Sequence, residues 1–82
     1  MTAPLTMYST TWCGACVRLK RTLERAGVEF VEVDIENDEA AADHVMRVNN
    51  GMRTVPTVVL PDGSTLTNPT AAEVIERLPA SA

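Results

Sequence analysis

The period of the apolar positions changes several times along this chain, and each change predicts an element. Leu5-Thr6-Met7-Tyr8 is a short apolar-rich stretch that predicts a first strand, with a loop at Ser9-Thr10-Thr11-Trp12. From Gly14 to about Ala26 the spacing becomes helical. Cys16, Leu19, Leu23 and Ala26 recur at three- and four-residue intervals, while Arg18, Lys20, Arg21, Glu24 and Arg25 mostly fill the other faces. Gly27 stands where a glycine commonly closes a helix. Between Val28 and Ile35 the period falls to two: Val31, Val33 and Ile35 alternate with Glu32 and Asp34, the signature of a half-buried strand. Asn37 or Asp38 can cap a second helix running to about Asn49, with Ala41, Val45 and Val48 inward. Asn49-Asn50-Gly51 ends it.

Thr57-Val58-Val59-Leu60 predicts a third strand. Pro61-Asp62-Gly63-Ser64 predicts a turn, because proline presets one backbone angle and glycine supplies a positive one. Thr65-Leu66 then begins a fourth strand, and the two make a hairpin. A last helix spans about Thr70 to Leu78, with Ala71, Val74, Ile75 and Leu78 inward. Its start carries two signals: Asn68-Pro69 fits an N-cap followed by proline, and Thr70-Ala71-Ala72-Glu73 fits a capping box. The order is β-α-β-α-β-β-α. Helical crossovers closed by a hairpin and a terminal helix imply an α/β fold, a four-stranded mixed sheet flanked by three helices.

Composition bounds the function. With 82 residues the chain is expected to form a single domain over 1–82. A chain of this size buries only roughly 60–65% of its unfolded surface, so modest stability is expected. Hydrophobic residues make up 45% and charged residues 22%, the balance of a soluble globule. No stretch approaches the roughly 18 apolar residues of a membrane span, and the first residues lack the basic start and apolar run of a signal peptide. A cytoplasmic location without membrane partners is therefore expected. The net charge is −4, and its seven Lys and Arg form no basic stripe, which argues against a nucleic-acid partner.

The two cysteines change the picture. Cys13 and Cys16 lie three apart, too close for a disulfide between them to staple the fold. A structural zinc site normally takes four ligands, and the chain offers one histidine, His44, and no second Cys-x-x-Cys, so no metal site is expected. An inert pair of buried structural cysteines is the other alternative, and a pair that opens a helix straight after a first strand in a small acidic domain favours redox chemistry over it. Trp12-Cys13-Gly14-Ala15-Cys16 sits where the first strand meets the first helix. A thiol must ionise to attack a disulfide, and an unperturbed cysteine is only ~3% thiolate at pH 7. A helix N-terminus, with its unpaired N–H groups and dipole, favours an anion, and Cys13 falls at the first residue or N-cap of the helix. Cys16, one turn on, is near enough for a disulfide and lies deeper in the apolar stripe, so it should be the less reactive thiol.

Trp-Cys-x-x-Cys after a strand, Thr54-Val55-Pro56 about forty residues later, then a hairpin, a turn-rich segment and a final helix resemble a glutaredoxin of the thioredoxin superfamily. The match covers essentially the whole chain and implies the thioredoxin-like fold. The resemblance implies that Cys13 is the nucleophile, that Cys16 takes the resolving position, that Pro56 is cis beside the cysteines, and that Val55 offers backbone hydrogen bonds to a substrate strand. The segments Val48-Asn49-Asn50-Gly51-Met52-Arg53-Thr54-Val55-Pro56 and Asp62-Gly63-Ser64-Thr65-Leu66-Thr67-Asn68-Pro69 most resemble the actinobacterial mycoredoxins, which use mycothiol.

Two departures stand out. The usual Cys-Pro-Tyr-Cys is here Cys-Gly-Ala-Cys, which loosens the first turn and leaves room for an iron–sulfur cluster bridging two chains through Cys13. The Gly-Gly-acidic segment by which glutathione-using members hold a charged peptide is replaced by Leu66-Thr67-Asn68-Pro69-Thr70. Mycothiol presents a sugar and an inositol, for which the hydroxyl of Thr67 and the amide of Asn68 are chemically suited.

The expected activity is a monomeric thiol–disulfide oxidoreductase that reduces mixed disulfides between proteins and a low-molecular-weight thiol, mycothiol above others. No cofactor is tightly bound; mycothiol is the co-substrate and mycothiolated or disulfide-containing proteins are the partners. Trp12, Arg53, Thr54, Val55, Pro56, Thr67 and Asn68 form the expected binding surface. Tyr8 lines the site or packs in the core. The Arg18, Lys20 and Arg21 cluster reads most simply as the wet face of its helix, and His44 as an ordinary helix residue. The alternatives are a dithiol electron donor recharged by thioredoxin reductase and an iron–sulfur carrier working as a cluster-bridged dimer.

Overall fold

A computed structural model describes residues 5–78. The elements follow the expected order: β1 (Leu5–Ser9), α1 (Gly14–Arg25), β2 (Phe30–Asp34), α2 (Glu39–Val48), β3 (Thr57–Val59), β4 (Thr65–Thr67) and α3 (Ala71–Arg77). The strands form one mixed sheet in the order β2-β1-β3-β4. β1 runs parallel to β2, with Leu5 opposite Phe30 and Ser9 opposite Asp34. It runs antiparallel to β3, with Met7 opposite Val58. β3 and β4 form the hairpin, with Val58 opposite Leu66. Asp62 Oδ1 accepts from Ser64 N at 2.9 Å and the chain reverses at Gly63, whose φ of +90° suits a residue without Cβ.

Alternation along β1 divides the molecule in two. Leu5 and Met7 point to one face, where they pack with Leu19 and Leu23 of α1, Val58, Leu60 and Val74 of α3. Thr6 and Tyr8 point to the other, where Tyr8, Val33 and Val55 pack against Ile35 and the α2 residues Ala41, Ala42 and Val45. Lys20 and Glu32 add an ion pair at 2.9 Å, solvent-exposed and therefore a minor contributor beside these clusters.

Several positions expected to face inward do not. Ala26 is exposed because α1 closes before it: Val28 N donates to Leu23 O at 3.0 Å and Gly27 N to Glu24 O at 3.1 Å, a Schellman closure in which Gly27 has φ +74°. Val28 thereby takes the place on the core expected of Ala26. Val31 is 48% exposed and lies outside the cluster that packs against α2. Val48 is exposed because α2 ends there and Asn49 turns inward instead, its Nδ2 reaching Thr57 Oγ1 at 3.0 Å. Ile75 lies outside the stripe that Ala71, Val74 and Leu78 bring to the core.

The helix starts resolve both open choices. Asp38, not Asn37, caps α2, accepting from Ala41 N at 3.0 Å. Thr70, not Asn68, caps α3 through a full capping box: Glu73 N donates to Thr70 Oγ1 at 3.1 Å and Thr70 N to Glu73 Oε1 at 2.9 Å. Among the described residues no helix is long and apolar enough to cross a membrane. The expectation drawn from Met1 to Pro4 lies outside the described residues.

Core packing should dominate stability. Leu23→Ala should cost about 2–5 kcal/mol, against about 1 kcal/mol for Asp38→Ala. Denaturant unfolding of the two variants measures both, and an equal or reversed order would contradict this account of the core.

Candidate redox site

Cys13 is the N-cap of α1. Its backbone is extended, with φ −88° and ψ 108°, and its carbonyl already accepts from Val17 N at 3.1 Å. The sulfur therefore lies over the first turn, where amide groups have no helical partner. One of them, Cys16 N, donates to Cys13 Sγ at 3.1 Å. No acidic residue occupies the first turn of α1. Negative charge on this sulfur meets an aimed N–H and a helix start, and no first-turn carboxylate opposes it.

Cys16 is different in kind. It is 1% exposed, at the start of the buried α1 stripe that continues through Leu19 and Leu23. Burial, reinforced by its hydrogen bond with Cys13 and by the charges of Cys13 and Glu32, pushes its thiol from 9.0 up to about 12, against a smaller opposing effect of the Thr10 backbone. Both cysteines are free thiols. Both are buried, Cys13 at 9% exposure and Cys16 at 1%. What separates them is the backbone donor aimed at the Cys13 sulfur and the deeper burial that favours the protonated thiol of Cys16.

The segment before β3 completes the site. The Val55–Pro56 peptide is cis, as the resemblance implied. Val55 O lies 3.9 Å from Cys13 Sγ, and Pro56 O accepts from Asn68 N at 2.7 Å. The structure thus brings Cys13, Cys16, Val55, Pro56 and Asn68 together. Thr54 is placed by its carbonyl, which accepts from Thr57 Oγ1 at 2.8 Å. A groove of about 320 Å³ beside this cluster is lined by Ala15, Arg18 and Thr22 of α1 and by Asn68, Pro69 and Thr70. Trp12 is 72% exposed on the loop before Cys13. Arg53 is exposed, and no contact among the described residues draws it to the thiols. Tyr8 packs against the α2 cluster together with Val55, with its ring 5.4 Å from that of His44.

Two contributors escaped sequence reasoning. Asn49, read only as a helix stop, is a junction. Its Nδ2 donates to Val45 O at 2.8 Å and to Thr57 Oγ1 at 3.0 Å, and its Oδ1 accepts from Thr67 Oγ1. It thereby ties the end of α2 to β3 and β4 around the Thr54–Pro56 segment. Glu36 accepts hydrogen bonds from Thr11 and Trp12. No pattern in the sequence marks either, since both pairings span the fold. Among the described residues no three His, Cys, Asp or Glu side chains converge as a metal site.

The glutaredoxin family model matches residues 5–64, which holds both cysteines, the Thr54–Pro56 segment and three of the four strands. The chain belongs to the glutaredoxin family. It is 56% identical over 78 residues to a candidate glutaredoxin of Mycobacterium tuberculosis, covering 95% of this chain and 93% of that one. It is 45% identical over 78 residues to Mycoredoxin 1 of Corynebacterium glutamicum, covering 95% and 96%. Its fold superposes on the glutaredoxin-like NrdH-redoxin of Escherichia coli with a TM-score of 0.78 over 96% of this chain and all of that one, at 23% identity, which speaks for the fold alone. This glutaredoxin is accordingly a thiol–disulfide oxidoreductase close to mycoredoxin, of a family that acts on disulfides with a small thiol.

The asymmetry of the sulfurs is measurable. In Cys13→Ser the largest cause of the Cys16 shift, burial, remains, so Cys16 alkylation should show a midpoint well above 9.0. A midpoint near 9.0 would refute the burial argument. The sign for folding follows: the stability tied to the neutral Cys16 thiol is complete below pH 9.0 and is lost as pH rises through about 12.

Proposed function

We propose that this glutaredoxin reduces mixed disulfides between proteins and mycothiol, with Cys13 as nucleophile. The observation that carries the reading is the Cys13 sulfur at the N-cap of α1, receiving the Cys16 N–H at 3.1 Å. Cys13 thiolate attacks the mycothiol sulfur of the mixed disulfide. The Cys13–mycothiol disulfide forms, the protein–mycothiol disulfide breaks, and the released protein thiolate takes a proton from water. A second mycothiol thiolate attacks the mycothiol sulfur on Cys13, giving oxidised mycothiol and Cys13 thiolate. No other redox partner is needed.

Cys16 is the second thiol of the motif and competes with that last step. Burial holds its thiol well above the ordinary cysteine range, which disfavours the thiolate it needs in order to attack. Its proximity works the other way, since a positioned neighbour has a high effective concentration. The hydrogen bond and charge of Cys13 vanish once Cys13 is bonded to mycothiol, but burial, the largest cause, persists. The one-thiol route is therefore the main path, with a Cys13–Cys16 disulfide as a side store.

Two features support mycothiol over glutathione. One is the 45% identity to Mycoredoxin 1 along nearly its whole length. The other is the groove that begins at Ala15, to which Asn68, Thr70 and Thr22 bring amide and hydroxyl groups suited to a sugar and an inositol, beside the charged Arg18. Thr67 does not line it, its hydroxyl being bonded to Asn49. Val55 and Pro56 are the backbone surface for the bound thiol and Trp12 the aromatic wall of the site. Thr54, Thr67 and Asn68 flank it, and Arg53 stands outside as a steering charge. The enzyme works as a cytoplasmic monomer.

Turnover with mycothiol and with glutathione as rival reductants tests the reading. Mycothiol should be preferred by at least about tenfold in kcat/KM, about 1.4 kcal/mol; a clear preference for glutathione overturns it. Cys13→Ser should abolish turnover. Cys16→Ser should retain it, and its loss would assign the main path to the two-thiol route.

A further inference from the structure

Trp12 is the exposed aromatic residue that adjoins Cys13, and a side chain so free would ordinarily sample several rotamers. Glu36 fixes it. Trp12 Nε1 donates to Glu36 Oε2 at 3.0 Å, and Thr11 Oγ1 donates to Glu36 Oε1 at 3.4 Å, so one carboxylate holds two consecutive residues of the Cys13 loop. The carboxylate stands on a firm base. Glu36 N donates to Asp34 Oδ1 at 2.9 Å and Asn37 Nδ2 to Asp34 Oδ2 at 2.7 Å. Ile35 N donates to Ser9 O at 3.0 Å, which joins this turn to the end of β1 where the Cys13 loop departs.

The sheet order gives this arrangement a direction. With β2-β1-β3-β4, the turn bearing Glu36 follows one outer strand, and Thr67 and Asn68 end the other, with Cys13 after the inner strand β1. The flank toward β4 carries the groove assigned above to the small thiol. The flank toward β2 carries Trp12 and Glu36.

We propose that Glu36 is a positioning residue that holds the Trp12 indole in one orientation as a wall for the polypeptide flanking the target cysteine. The inference rests on the reading of Trp12 as a substrate contact. A wall ordered before binding spares the entropy of ordering it during binding, so the gain falls on affinity for the polypeptide and leaves the rate of sulfur attack alone.

The test uses reduced full-length protein in single turnover. One substrate is a short peptide whose only cysteine carries a mercaptoethanol mixed disulfide, and the other is bis(hydroxyethyl) disulfide, which has no polypeptide. Glu36→Ala should raise the half-saturating peptide concentration about three- to tenfold, the scale of one exposed hydrogen bond holding a binding group, with the limiting rate unchanged. The small disulfide should react as with the unmodified protein. Glu36→Gln, which keeps an acceptor for the indole N–H, should stay within about twofold. In a Trp12→Ala background, Glu36→Ala should add nothing. Trp12 is the sole tryptophan, so time-resolved anisotropy reads its motion directly; it should loosen in Glu36→Ala and hold in Glu36→Gln.

If Trp12→Ala weakens the peptide and Glu36→Ala does not, the positioning role is overturned while the substrate contact stands. If Trp12→Ala has no effect on the peptide, the reading of Trp12 falls and the positioning role with it. An equal loss of limiting rate for both substrates would place Glu36 behind the thiol chemistry and overturn the proposal.

Discussion

The chemistry depends on one hydrogen bond, from the backbone N–H of Cys16 to the sulfur of Cys13. It exists because Cys13 is an N-cap, with extended backbone and a side chain folded over the first turn. Serine or aspartate would cap the helix more conventionally. A sulfur in that place serves both structure and reactivity, since the donor that caps the helix also faces the nucleophile. The preceding loop fixes the cap, with Cys13 N donating to Thr10 O, and β1, paired on both sides, fixes the loop.

The same helix makes the two sulfurs unlike. Cys13 precedes the first turn and sits against Val55 at 9% exposure, whereas Cys16 begins the apolar stripe at 1%. Position along one turn decides which thiol lies over the free amides of the helix start and which is enclosed by the core. Identical side chains thus stand in different surroundings through backbone geometry and burial, with the Glu32 charge a smaller contributor at Cys16.

Much of this was legible in the chain. Helical spacing in α1 and α2, the alternation before Ile35, and turn and capping signals after Leu60 together gave all seven elements and their order. The Cys13–Cys16 pair and the Thr54–Pro56 segment were readable because their spacing along the chain is itself the signal. What escaped depends on the third dimension. Ala26 and Val28 exchange places through a helix closure, and Val31 lies outside the cluster that packs against α2. Asn49 and Glu36 act across contacts 18 and 24 residues apart, respectively, which local pattern does not record. Trp12 was visible as a candidate, but the carboxylate holding it was not.

The sheet also sets the thiols at one end of the molecule. β1 delivers the chain to Cys13 at its C-terminal end, and antiparallel β3 starts from Pro56 at that same end. The start of β1 and the Pro61–Ser64 reversal therefore share the opposite end. An affinity tag placed ahead of Leu5, or a reporter peptide spliced into that reversal, would leave the reactive pole clear. The fold thus has a natural handle for immobilisation on a surface, with its working sulfur facing outward.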